Sequence, residues 1–91
     1  MIIPPTLYFV LSDLGEHGLA GADPLTHVKD AADRWHEHRY GGDPAKVFEA
    51  DMIKGTITDV TPGVAHIALS FYRARRDDPP EWLMEEIDEH H

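Results

Sequence analysis

The stretch Asp23–Tyr40, DPLTHVKDAADRWHEHRY, constrains the chain most, because it reads as one long helix with a stripe that needs covering. Asp23 offers a carboxylate to the open N–H groups of a first turn, and Pro24 follows where its missing N–H costs nothing. Leu25, Val28, Ala32, Trp35 and the stem of Arg39 recur at helical spacing, with Ala31 beside them. Lys29, Asp30, Asp33, Arg34 and Glu37 fall mostly elsewhere around the axis, and an Asp30–Arg34 pair would add ~0.3 kcal/mol. Gly41-Gly42-Asp43-Pro44 ends the run: glycine takes the left-handed cap and proline prevents resumption.

The remaining segments read as what packs on that stripe. Thr6 to Ser12 is short, rich in branched and aromatic residues and apolar on both faces over Leu7-Tyr8-Phe9-Val10-Leu11, which marks a central strand. Gly15 and Gly18 frame a turn, and Gly18 to Ala22 is a poor return strand. Ala45 to Met52 alternates, with Phe48, Ala50 and Met52 on one side and Val47, Glu49 and Asp51 on the other. Ile53 to Asp59 fits an extension past Gly55, a hairpin partner or a loop. Thr61-Pro62 starts a second helix, with Val64, Ile67, Ala68, Phe71, Tyr72 and Arg75 inward. Asp77-Asp78-Pro79-Pro80 breaks it and opens a short third helix to about Glu89, docked by Trp82, Leu83 and Ile87.

The expected architecture is a single α+β domain over residues 1–91, order β(β)αβαα. Helices pack on one face of a two- or three-stranded sheet, and residues 77–91 form an acidic C-terminal helix. Parallel neighbouring strands would require a right-handed crossover through the first helix. So small a sheet leaves an edge and an open face, which fits a homodimer.

Charge placement narrows the partners. The net charge is −9. Seven acids and no Lys or Arg lie from Asp77 onward, while ten acids face all eight basic residues before it. Direct nucleic-acid or anionic-membrane binding is disfavoured, since both need clustered positive charge. Arg73, Arg75 and Arg76 read as the cationic end of a helix. Cysteine is absent, which fits a reducing, cytoplasmic setting and excludes thiolate chemistry. The opening MIIPPTLYFVL lacks the basic start of a signal peptide and the length of a membrane span.

Tyr8-Phe9-Val10 followed by Asp13, Gly15 and Gly18, then Tyr40, Pro44 and Val47, then Gly55, Asp59-Val60-Thr61 and Val64-Ala65, form a pattern over roughly Leu7 to Ile67. It resembles that of a family of small uncharacterised proteins from alphaproteobacteria. The resemblance implies a loop over Ile53 to Thr58. The stretch between Gly18 and the first helix departs from that pattern, being shorter and without charges, which counts against a return strand. The resemblance supplies no catalytic residues.

The reactive side chains are histidines: His17, His27, His36, His38, His66, His90 and His91. A metal needs at least three ligands at one point. His36 and His38 lie about 200° apart around a helix, and His27 and His38 roughly 16 Å apart along it. His90-His91 read equally as native residues or a purification tag. Asp13, Asp59 and His66 are acid–base candidates, and Ser12-Asp13 with His17 outlines a nucleophile and base without an oxyanion loop. Asp59 equally caps a turn beside Thr61.

The sequence therefore indicates no catalytic residue, cofactor or metal. It favours a non-enzymatic acidic interaction module that self-associates or binds a basic protein through Trp82, Glu81, Glu85, Glu86, Asp88 and Glu89. The alternatives are a small enzyme or ligand-binding protein with a site near Ser12–His17 or Asp59/His66, and a nucleic-acid-mimicking inhibitor.

Overall fold

The computed structural model describes residues 2–21 and 23–88. Its elements are β1 (Thr6–Asp13), a single 3₁₀ turn (Gly15–His17), β2 (Leu19–Gly21), α1 (Val28–Tyr40), β3 (Ala45–Asp51), β4 (Thr56–Asp59), α2 (Thr61–Ala74) and α3 (Glu81–Asp88). The strands form one sheet in the order β2-β1-β3-β4, with every neighbouring pair antiparallel. This is the α+β arrangement with helices on one face.

The sheet is wider than two or three strands. Both extra strands are edges: Leu11, Ser12 and Asp13 hold Gly21, Ala20 and Leu19, while Phe48 to Asp51 hold Asp59 to Thr56. The loop implied over Ile53 to Thr58 gives way to a tight turn and a strand. There the Asp51 Oδ1 accepts the N–H groups of Ile53 and Lys54 at 3.0 Å each, and Gly55 takes φ +71°. The carboxylate thus satisfies the turn, so the backbone returns along β3 although all four β4 residues are exposed.

The first helix starts later than its Asp23-Pro24 signal indicates. His27 stands at the N-cap, and Leu25 instead bridges to β1, exchanging two hydrogen bonds with Tyr8 at 2.7 and 2.8 Å. Two strand bonds on the open edge of β1 outweigh one helix cap. The Arg34 Nη1 donates to the Asp23 carbonyl rather than pairing with Asp30. The far end behaves as read. Gly42 takes φ +92°, its N–H bonds the Arg39 carbonyl and that of Asp43 the His38 carbonyl.

Val10 on β1 and Ala45 and Val47 on β3 point at the helices. They meet Ala31, Ala32 and Trp35 of α1, Val64, Ala65, Ala68 and Leu69 of α2, and Leu83 and Ile87 of α3. The Trp35 ring is fully buried, and its Nε1–H donates to the Ala45 carbonyl at 2.9 Å. Thr61 belongs to this core instead of capping α2. Its hydroxyl accepts the Val47 N–H at 2.9 Å and donates to Asp59 Oδ1 at 2.6 Å. Val60 takes the cap position.

Candidate functional site

The residues singled out for acid–base work are engaged structurally. Asp13 Oδ1 accepts the Gly15 N–H at 2.9 Å, and its other oxygen lies 3.9 Å from Lys46 Nζ. His17 is exposed in the 3₁₀ turn, and no hydrogen bond joins it to Ser12 among the described residues. Asp59 accepts both the N–H and the hydroxyl of Thr61, fixing the corner between β4 and α2. His66 is exposed on α2. Asp13 and Asp59 do meet at a cleft of about 260 Å³ with Arg39, Lys46 and Glu86. Each of its three carboxylates already holds a partner, because Glu86 pairs with Arg39.

Among the described residues no three of His, Asp and Glu converge on a metal position. His38 Nδ1 lies 3.1 Å from an Asp43 carboxylate oxygen. Glu89, His90 and His91 lie outside the described residues.

The third helix is held by its apolar and aromatic side. Leu83 and Ile87 are buried, and the Trp82 ring meets Trp35 edge-on at 5.8 Å. The Arg39 guanidinium lies 5.3 Å from the Trp82 ring and 5.8 Å from that of Trp35, and reaches Glu86 at 3.4 Å. Stacking of a weakly hydrated guanidinium on indole offsets part of its desolvation. Trp82 therefore clamps α3 to the body, and Glu86 faces the clamp. Glu81, Glu85 and Asp88 stay exposed.

Two features are left uncovered among the described residues. The first is a groove of about 510 Å³ between α1 and α2, lined by Lys29, Asp33, His36, Phe71, Tyr72, Ala74 and Arg75. Lys29, Asp33 and His36 follow the i, i+4, i+7 ridge of α1, and Phe71, Tyr72 and Arg75 supply the α2 wall. His36 Nε2 meets the Tyr72 hydroxyl at 2.5 Å, and its ring also contacts Tyr40 and Trp82. Burial, reinforced by Arg75, pushes the His36 pKa below its ordinary value, against smaller opposing effects of Asp33 and Glu37. Burial also raises that of Tyr72, with Arg75 opposing. A neutral imidazole can accept the tyrosine proton at Nε2 and carry its own on Nδ1.

The second is the open face of the sheet. Alternation from Val10 and Val47 puts Leu7, Phe9, Leu11, Phe48 and Ala50 on the side away from the helices, joined through the register by Leu19 and Ile57. Phe9 and Phe48 are directly opposed across β1 and β3. Phe9, Leu11, Leu19, Phe48 and Ile57 line a wholly apolar depression of about 300 Å³. Leu19 is 51% exposed and Ile57 72%.

Of these two features, the open face is foreshadowed by the two-sided apolar run in β1. The His36–Tyr72 pairing joins positions 36 residues apart, so spacing along α1 gives no sign of it. Only folding brings Tyr40, Tyr72 and Trp82 around His36.

No helix among the described residues is long and apolar enough to cross a membrane. No family model, curated protein or solved structure matches the chain.

Proposed function

We propose that this protein is a non-enzymatic interaction module that self-associates by pairing the open faces of two sheets. The observation that carries this reading is the apolar Phe9/Leu11/Leu19/Phe48/Ile57 surface, left uncovered beside a helix-packed core. Contiguous apolar patches of a few hundred Å² often mark interaction sites, and this depression is apolar throughout. A second copy is the fitting occupant for two reasons. The directly opposed Phe9–Phe48 pair gives the face a centre about which a two-fold contact is self-complementary. The charge distribution also permits it: the acids of α3 lie on the helical layer, so face-to-face pairing keeps the two acidic helices on opposite outsides. Sheets pack ~10 Å apart and each helix layer adds ~10 Å, which separates the acidic helices by roughly 30 Å against a Debye length of ~8 Å.

With strands ~4.8 Å apart and a rise of ~3.3 Å per residue, the face covers roughly 400 Å². Side-chain relief and the flanking Met52 and Ile53 bring the area buried between two copies to about 1,000 Å², the small end of specific interfaces. An interface of this size fits a weak, reversible dimer. The absence of cysteine suits this role in a reducing compartment such as the cytoplasm.

Sedimentation equilibrium from about 1 μM to 1 mM tests the reading. The expected result is a monomer–dimer equilibrium that Ile57→Lys weakens at least about tenfold, as one buried unpaired charge requires. Lysine lowers the magnitude of the net charge, so added repulsion cannot account for such a loss. A wild-type chain that stays monomeric at the top of that range overturns the proposal.

A further inference from the structure

We propose that the groove between α1 and α2 binds a small monocarboxylate that carries an aromatic ring. The inference is independent of self-association, because the groove lies on the helical layer and not on the open sheet face.

The groove has the size and the mixed lining of a small-molecule site: about 510 Å³, with ring surface from Phe71 and Tyr72 and a few polar groups around it. The chemistry of those groups selects the ligand. Arg75 stands with its guanidinium 5.3 Å from the Tyr72 ring centre, so an aromatic ring entering the groove meets a flat cation-capped wall. Its only ion pair among the described residues is with Asp77 at 3.7 Å, and both side chains are 61% exposed. Such a pair is worth little in water and yields readily to a ligand oxygen.

Lys29 forms no ion pair among the described residues and sits one ridge position before Asp33. Once a ligand displaces Asp77 from Arg75, two cations face one carboxylate and the lining stands at +1. One excess positive charge suits a monoanion. A dianion such as a phosphate monoester meets the repulsion of Asp33 with its second charge, and a cation meets two like charges.

His36 completes the floor. Its Nε2 is engaged by the Tyr72 hydroxyl and its ring is stacked by Tyr40 at 5.9 Å and 30°. The imidazole is thereby held in place, with Nδ1 as the nitrogen left for an acceptor. A carboxylate can then pair with Arg75 and Lys29, which line the groove, while the ring lies against Phe71 and the edge of Tyr72.

The probe is 3-phenylpropionate, followed by two-dimensional NMR on the full chain, with phenethylamine and phenyl phosphate as matched probes of other charge. Saturable shifts at His36, Phe71, Tyr72 and Arg75, with a Kd near or below ~1 mM, are expected. Phenyl phosphate should bind several-fold more weakly, and phenethylamine should not saturate. Arg75→Gln, an exposed position that leaves the core intact, should weaken binding by about tenfold or more, the usual effect of removing a charged hydrogen-bond donor. Ile57→Lys, on the far side of the sheet, should leave it unchanged. Absence of saturation at about 20 mM, well above that range, overturns the proposal. So does equal binding of all three probes, or saturable shifts confined to Phe9, Leu11 and Phe48. An Arg75→Gln variant that binds as tightly as wild type does the same.

Discussion

The two sides of one sheet are built from the same strands and have opposite fates. Val10 and Val47 face the helices and are 5% and 0% exposed; their chain neighbours Phe9 and Phe48 face away and remain partly in water. Hydrophobicity does not separate the two sides, since the outward pair is aromatic. What differs is supply. Three helices are enough to cover a sheet of this size once, and among the described residues no element lies on the second side. A strand apolar on both faces thus makes two apolar surfaces, only one of which is covered among the described residues.

The sharpest way to break this contrast is to remove the cover. Trp35→Ala empties the centre of the helix-facing core and orphans the Ala45 carbonyl; it should cost about 4 kcal/mol, a large fraction of the stability of a small domain. Phe9→Ala, on the other side, should cost about 1 kcal/mol in dilute monomer, because its ring already meets water. Urea titration of both variants at low concentration reads the difference, and equal losses would abolish the distinction between the sides.

A smaller effect tests how firmly the cover is tied. Arg76 ends α2 at φ +58°, and its N–H and that of Asp77 bond the carbonyls of Arg73 and Tyr72. This is a glycine's position occupied by arginine. Arg76→Gly should therefore raise stability by about 0.5–1 kcal/mol, seen as a higher urea midpoint with unchanged slope. A loss would mean that the arginine side chain contributes more than its backbone costs.

The smallest effect concerns pH. His36 is shifted down from 6.5 on folding, so the unfolded chain binds the extra proton. Its contribution to stability is complete above pH 6.5 and is lost as pH falls through the lower folded value. His36→Gln should remove that part of the slope between about pH 7 and 5, leaving the carboxylate-driven fall at lower pH. Parallel wild-type and variant profiles would show that the ring is solvated in the fold.

Legibility in the sequence tracked burial. The core strands and the bulk of the helices announced themselves through periodicity and through the Pro and Gly that bracket them. The edge strands did not. Leu19–Gly21 and Thr56–Asp59 are exposed on both faces, so no alternation marks them, and their conformation is set by backbone bonds to β1 and β3. The start of α1 was misplaced for a related reason: Leu25 obeys Tyr8, a residue 17 positions away, and not the adjacent proline. At the candidate site the same rule holds. Lys29, Asp33 and His36 share a visible ridge, but Tyr72 and Arg75 reach it only through the packing of α2 on α1.

The brevity of the outer strands has a last consequence. With three residues on one flank and four on the other, the sheet presents little backbone for lateral growth, the route by which strands add without limit. The proposed pairing across the broad side would consume the exposed surface of both copies at once. On the proposed pairing, assembly therefore stops at two, a closed count instead of a fibre.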